Sequence, residues 1–349
     1  PVTTARSERV VFRCDSNASH GFGHTSRCIS LARHLEAEHG LTSCFLGDFG
    51  DFAVRMLSTY GFEIIPCVED RPSAQAIIDH TDPHDLLIID HYGIGDEFLQ
   101  SLTATKRRPV YFVDEDILDY HDQALALISI RLSGQEMRLD RFAVPLFSGA
   151  EFLVVNPDFR SVRRHHARQP TNQSVQRVTL FLSGAQGQLE HERRLVRMLD
   201  LIAPQTEITL ITSHGDAHQS WARQNPNSVF NIQTPTPHMA SQLAQTDLLI
   251  CGGGLLKYEA AFCGIPSAIC SLVELQYKDT LEFCERGLAW DLGMAQTPNF
   301  ELELKDRLTQ IMTDSQLRQD IKERCHLIFR EDSTNRLASE LVRLSAVQD

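Results

Sequence analysis

VVFRCDSNASHGFGHTSRCISLARHLEAEHG, Val10–Gly40, holds the pattern that decides the fold. An apolar run, Val10–Arg13, reads as a strand buried on both faces. A loop with Gly21 and Gly23 follows. The helical period then sets in near Thr25, with Cys28, Ile29, Leu31, Ala32 and Leu35 on one side and Gly40 as the stop. Strand, glycine-bearing loop, helix is the first half of a βαβ unit, and the sheet it enters should be parallel.

The same alternation continues in both directions from this stretch. Further strands are expected at Ser43–Leu46, Glu63–Ile65, Asp85–Asp90, Val110–Val113, Ala124–Ile130 and Phe152–Val155. The polar, basic segment RSVRRHHARQPTNQSVQR, Arg160–Arg177, breaks the rhythm and reads as a linker. Strands resume at Val178–Leu182, Glu207–Ile211, Val229–Ile232, Asp247–Cys251 and Ala268–Leu272, with a weaker sixth at Leu288–Leu292. Helical patterns fill the gaps and occupy the tail from Leu302 to Val347. The expected class is α/β, with two Rossmann-type parallel-sheet domains facing a cleft. The expected divisions are residues 1–160, a linker at 161–177, a second domain at 178–325, and a terminal helix at 326–349 packing back on the first domain. In such sheets ligands bind beyond the carboxyl ends of strands, so the strand-to-helix loops should carry the chemistry.

Composition bounds the partners. With 349 residues, two domains are expected. Hydrophobic residues at 42% and charged residues at 23% are the balance of a globular protein with an ordinary core. A net charge of −13 argues against a nucleic-acid partner, which needs a basic surface. It does not oppose a small phosphorylated ligand held by backbone N–H groups. No apolar stretch reaches the length of a membrane span, and the first ten residues do not read as a signal peptide. The nine cysteines are odd in number and form no C-x-x-C pair. They read as small hydrophobes in a reducing, cytoplasmic compartment. No metal and no cofactor is expected: the acidic Val113–Asp116 lacks ligand spacing around it.

Three loops supply the candidate residues. His24 stands at a helix entrance after Gly21 and Gly23, where an imidazole can exchange protons near neutral pH. Asp15, at the strand end before it, would orient His24 or bind a substrate hydroxyl. DLLIIDHYGIGDEF, Asp85–Phe98, is a buried strand ending in Asp90, His91 and Tyr92, which parallel pairing would bring beside the first loop. In the second half, CGGGLLKYEAAFCGIPSAICSLVELQ, Cys251–Gln276, ends a strand in Gly252, Gly253 and Gly254 before a helix. The glycines bring N–H groups and a helix N-terminus to a diphosphate, and Lys257 adds positive charge. Glu259 either contacts ribose or serves as a charge partner of its own helix. Gly184, in LFLSGAQGQ, sits in a further phosphate-facing turn. Neither domain has the G-x-G-x-x-G fingerprint of a dinucleotide site.

The motif Arg13-x-Asp15-x5-Gly21-x-Gly23-His24-x-x-Arg27-Cys28, with Asp-His-Tyr-Gly at Asp90–Gly93, resembles the opening of the hydrolase of the pseudaminic-acid pathway. It is similar as well to the related spore-coat polysaccharide biosynthesis proteins and to GT-B glycosyltransferases. That hydrolase cleaves UDP-2,4-diacetamido-2,4,6-trideoxy-β-L-altropyranose to free sugar and UDP. The resemblance implies His24 as catalytic base, Tyr92 and Asp15 in the active site, and Arg27, Asp90 and His91 around the substrate. It also implies Glu259 on ribose and Gln276 on sugar or phosphate. The chain differs from the hydrolase in the nucleotide half. It has Ser183-Gly184-Ala185-Gln186 for Gly-Gly-x-Asp, Leu255-Leu256-Lys257 for Ser/Thr after the glycines, and Leu275-Gln276 for Asn-Gln. The expected function is nucleotide-sugar hydrolysis. The alternative is an inverting glycosyltransferase in which an acceptor hydroxyl replaces water.

Overall fold

The computed structural model describes residues 9–17, 21–69, 72–91, 94–113, 123–132, 144–182, 188–225 and 230–347. The chain forms two units, one of residues up to Pro157 together with those from Asp332 onward, the other Asp158–Glu331.

The first unit alternates β1 (Arg9–Cys14), α1 (Gly23–His39), β2 (Thr42–Gly47), α2 (Asp51–Thr59), β3 (Glu63–Pro66), α3 (Ala74–His80), β4 (Leu86–Asp90), α4 (Asp96–Ala104), β5 (Val110–Phe112), β6 (Ala126–Ile128) and β7 (Leu146–Phe147). All its strands pair in parallel in the order β3-β2-β1-β4-β5-β6-β7. Both faces are covered, which explains the unbroken apolar runs. Val10, Phe12 and Cys14 enter one core with α1, while Val11 enters the other with α3 and α4, as the two-residue strand period requires. Gly40 ends α1 at φ 68°, as its position after the last helical turn suggests.

The second unit runs α5 (Phe159–Arg168), β8 (Arg177–Phe181), α6 (Leu189–Ile202), β9 (Glu207–Ile211), α7 (Gly215–Gln224), β10 (Asn231–Gln233), α8 (Met239–Leu243), β11 (Leu248–Cys251), α9 (Leu256–Cys263), β12 (Ser267–Ser271), α10 (Glu274–Glu285), β13 (Trp290–Met294), α11 (Phe300–Thr313) and α12 (Ser315–Ile328). Its sheet is again wholly parallel, in the order β10-β9-β8-β11-β12-β13. The last helix, α13 (Ser333–Ser345), belongs to the first unit and buries Leu337, Ala338, Leu341 and Val342 in the core shared with α1.

Three sequence expectations change. The stretch expected as a linker contains α5, a helix with only Phe159 and Val162 buried. So few apolar residues under a basic face read as a solvated loop. Phe152–Val155 is not a strand: a 3₁₀ turn covers Ala150–Phe152, and the seventh strand is Leu146–Phe147. The apolar run instead anchors α13, with Ser333 and Thr334 donating to the Leu153 carbonyl at 2.9 and 2.8 Å. The return to the first unit starts at Asp332 rather than 326, because α12 continues to Ile328 in the second unit. All nine cysteines are free. No helix among the described residues is long and apolar enough to cross a membrane.

Candidate functional site

In each sheet the strand order reverses once beside the first strand, between β1 and β4 in one unit and between β8 and β11 in the other. Loops diverge at such a switch point and leave a crevice at the carboxyl ends of the two strands. The candidate residues among those described gather there in each unit.

In the first unit, pairing places Cys14 opposite Asp90, so each chain continues by one residue into the crevice as Asp15 and His91. His91 Nε2 meets Asp15 Oδ2 at 2.5 Å. Across from this pair, His24 Nδ1 meets Asp90 Oδ1. Two Asp–His pairs therefore cross, each joining one switch-point strand to the other strand's loop or helix. His24, Arg27 and Cys28 lie three and four residues apart on one face of α1, and all three reach Asp90. Arg27 grips the carboxylate through Nε and, at 2.6 Å, through Nη2, and its guanidinium lies 4.7 Å from the centre of the Phe112 ring.

Burial alone would raise the pKa of Asp90. The charges of Arg27 and His24 and their hydrogen bonds outweigh it and hold the carboxyl well below the usual range. Asp15 behaves alike: burial opposes ionisation, but the His91 hydrogen bond, the Arg13 guanidinium and the Asp48 N–H prevail. Arg13 Nη1 lies 2.5 Å from Asp15 Oδ1 and the Asp48 N–H donates to the same oxygen at 2.9 Å. Both aspartates are thus anions that fix the imidazoles beside them. With Nδ1 of His24 held by Asp90, Nε2 is the nitrogen suited to take a proton.

This geometry corrects two expectations. Asp90, not Asp15, orients His24, because the register leaves Asp15 facing Arg13 and His91. Arg27, expected around the substrate, is 5% exposed and is committed to Asp90. Asp90 is buried as well, while the His24 side chain is the more open partner of its pair. Gly21 has open space around its Cα, and Gly23 begins α1. Tyr92 lies outside the described residues.

In the second unit, Gly252–Gly254 turn from the end of β11 into α9. A Cβ on Gly252 would run into the Leu182 carbonyl oxygen beyond β8, and one on Gly253 would stand 2.9 Å from Thr280 Oγ1 and 3.0 Å from Gln276 Cβ. Close approach of backbone to backbone demands glycine at 252, and the Thr280 and Gln276 side chains packed on the turn leave little room for a Cβ at 253. Gly254 is exposed, with nothing within 4 Å of such a Cβ. Gln276, in the first turn of α10, thus joins the glycine turn. Lys257 does not lie beside it as an open charge. It is fully buried, and Nζ donates to the Gly253 carbonyl at 2.9 Å and to Asp279 at 2.5 Å. Tyr258 Oη donates to the same carboxylate at 3.0 Å. Lys257 braces the turn from beneath. Part of Glu259's surface is open, but its carboxyl group is desolvated, which pushes it up to about 8. Gly184 lies outside the described residues.

Sequence reasoning quoted Arg13 in the motif without a role and missed Asp279. A lysine inside the apolar helix LLKYEAAFC must find an anion, and that was the signal for Asp279.

Two parallel sheets, each carrying its candidate loops at the switch point, make the fold that of the GT-B glycosyltransferases. The Acinetobacter baumannii protein MurG superposes with a TM-score of 0.66 at 13% identity, over 96% of this chain and 99% of that one. The Anabaena protein HepE, in complex with UDP and glucose, superposes with a TM-score of 0.57 at 15% identity, over 96% and 98%. In sequence, the chain is similar to the spore coat polysaccharide biosynthesis protein SpsG of Bacillus subtilis, at 24% identity over 67% of this chain and 69% of that protein. It is also similar to an uncharacterized protein of Methanocaldococcus jannaschii, at 21% identity over 78% of this chain, but spans only 58% of that protein's length. No family model matches.

Proposed function

We propose that the chain is a nucleotide-sugar hydrolase that releases UDP and free sugar with inversion at the anomeric carbon. The observation that carries this reading is the Asp90-oriented imidazole of His24 at the first switch point. Support for the nucleotide comes from the fold shared with HepE, whose structure holds UDP and glucose. The resemblance in the His24 and Asp90 loops favours a UDP-2,4-diacetamido-2,4,6-trideoxyhexose as substrate.

His24 Nε2 takes a proton from water as its oxygen bonds to the anomeric carbon. The bond from that carbon to the diphosphate oxygen breaks, and its electron pair leaves with UDP. The N–H groups of Gly252–Gly254 and the first turn of α9 meet the diphosphate charge, with the turn held in place by Lys257. Glu259 and Gln276 contact ribose and the sugar or phosphate, and Gly184 lines the phosphates. Tyr92 and His91 position water and sugar, and Asp15 acts through His91. The reaction as drawn needs no metal or cofactor.

A transferase would use the same residues, with an acceptor hydroxyl in place of water; the fold shared with a UDP-glucosyltransferase of Polygonum tinctorium favours keeping this second reading. Phosphorus NMR with UDP-, GDP- and CMP-sugars and no acceptor separates the two. Release of UDP and free sugar, lost in His24→Ala, supports hydrolysis. Binding without release moves the assignment to transfer, and absence of binding to any nucleotide sugar overturns both.

A further inference from the structure

At the end of the second sheet opposite the glycine turn, where β8, β11 and β12 begin, lies a cavity of about 160 Å³. It is well below the ~300–1,000 Å³ of pockets that take drug-sized ligands. It has room for a small ion and a few waters. Its charged lining is Lys322 and Arg318 from α12, His165 and His166 from α5, Arg177 at the start of β8, and Asp247 before β11.

Lys322 is 8% exposed and Arg318 1%. Arg318 is fully engaged as a clamp, donating to the carbonyls of Ile311, Met312, Asn172 and Gln173 at 2.7–3.0 Å. Lys322 Nζ donates to the Gln169 carbonyl. Among the described residues neither cation forms an ion pair with a carboxylate. Asp247, the one carboxylate among the lining residues, accepts from Asn172 Nδ2 at 2.9 Å and from the N–H groups of Gln176 and Arg177 at 3.0 and 2.9 Å, and it lies 3.9 Å from Arg177 Nη2, whose Nη1 donates to Gln245 Oε1 at 2.9 Å. A buried cation without a counter-charge is costly. Desolvation accordingly lowers the pKa of Lys322. His166 is pushed down to about 4 by burial and by the charges of His165 and Lys322.

We propose that this cavity is an anion site for a tetrahedral oxyanion of the phosphate class, bound through Lys322 Nζ with His165, His166 and Arg177 around it. The anion gives Lys322 a directly bonded counter-charge, where the protein offers it only the more distant Glu323, and its oxygens accept the N–H groups that Lys322 does not spend on Gln169. This site is separate from the glycine turn and does not depend on the function proposed above.

The test is the melting temperature of the full chain titrated with sodium phosphate against sodium chloride at matched ionic strength, repeated with UDP saturating. A saturable rise specific to phosphate and retained under UDP is expected. Lys322→Met should melt no lower than the parent without phosphate, since an uncompensated charge is gone, and should lose the phosphate-dependent rise. Arg177→Gln, at the rim, should fold normally and weaken phosphate about tenfold, as loss of one charge-assisted hydrogen bond implies. An equal phosphate rise in Lys322→Met and the parent, or no rise beyond that of chloride, overturns the proposal and leaves Lys322 as a strap to the Gln169 carbonyl.

Discussion

Each unit buries a cation–carboxylate pair under its switch-point loop, yet the pairs do different work. In the first unit Arg27 and Asp90 are both sealed from water, and their joint product is a side chain, the imidazole of His24, held at a fixed angle. In the second unit Lys257 and Asp279 hold a main-chain carbonyl, that of Gly253, and the product is a backbone turn. A proton-transfer group needs an oriented nitrogen. A diphosphate needs several oriented N–H groups, which backbone supplies at no side-chain entropy. Charges are likewise balanced differently. Both aspartates of the first unit are stabilised as anions, whereas Glu259 in the second is left without a charged partner among the described residues.

The largest expected effect breaks the first pair. Asp90→Asn leaves Arg27 buried without its counter-charge and should destabilise the protein by about 3–5 kcal/mol in urea unfolding. Turnover should fall as well, since the imidazole loses its orienting carboxylate. The same variant tests linkage. Asp90 ionises at lower pH folded than unfolded, so its contribution is full above the ordinary carboxylate value near 3.8 and is lost as pH falls through the folded value. Asp90→Asn should therefore flatten the acid limb of the stability curve, and an unchanged acid limb would contradict the assigned ion pair.

Next in size is the turn. Gly252→Ala drives a Cβ into the Leu182 carbonyl and should cost about 1–3 kcal/mol, with loss of UDP affinity by calorimetry. Gly254→Ala meets nothing within 4 Å and should change stability by no more than ~0.5 kcal/mol. Equal effects at the two positions would show that the turn is not shaped as described.

Glu259→Gln carries an effect of the opposite sign, one that is absent at low pH and grows as pH rises. The folded carboxyl titrates near 8 against an ordinary 4.5. The folded state thus holds a proton that the unfolded state gives up, and stability falls as pH rises between those values. The glutamine variant should melt with the parent below pH 4.5, and increasingly above it up to about pH 8. Ribose hydroxyls that donate to the carboxylate favour its ionised form, so UDP should bind the parent more tightly as pH rises through 8, and the variant without that dependence. A flat pH profile in the parent would remove Glu259 from the ribose.

The sequence disclosed the class of fold because strands buried on both faces are apolar without interruption, as in Val10–Phe12 and Leu86–Ile89. It hid α5, whose helical face buries two residues only. The candidate residues were legible as strand-end and glycine-loop residues, but their pairing was not. His24 and Asp90 are 66 positions apart, and Asp15 and His91 are 76 apart. Only the register of β1 against β4 decides which aspartate meets which imidazole. Lys257 shows the converse: a charge read as facing a ligand turned inward because Asp279, one helix later, waited beneath it.

The most direct test of the division of labour is the UDP dissociation constant of His24→Ala measured beside its turnover of a UDP-sugar. Turnover should be lower by about 10²–10⁴-fold, the worth of a general base, with UDP affinity nearly that of the parent. A parallel loss of UDP affinity, or turnover that survives the substitution, would contradict that division.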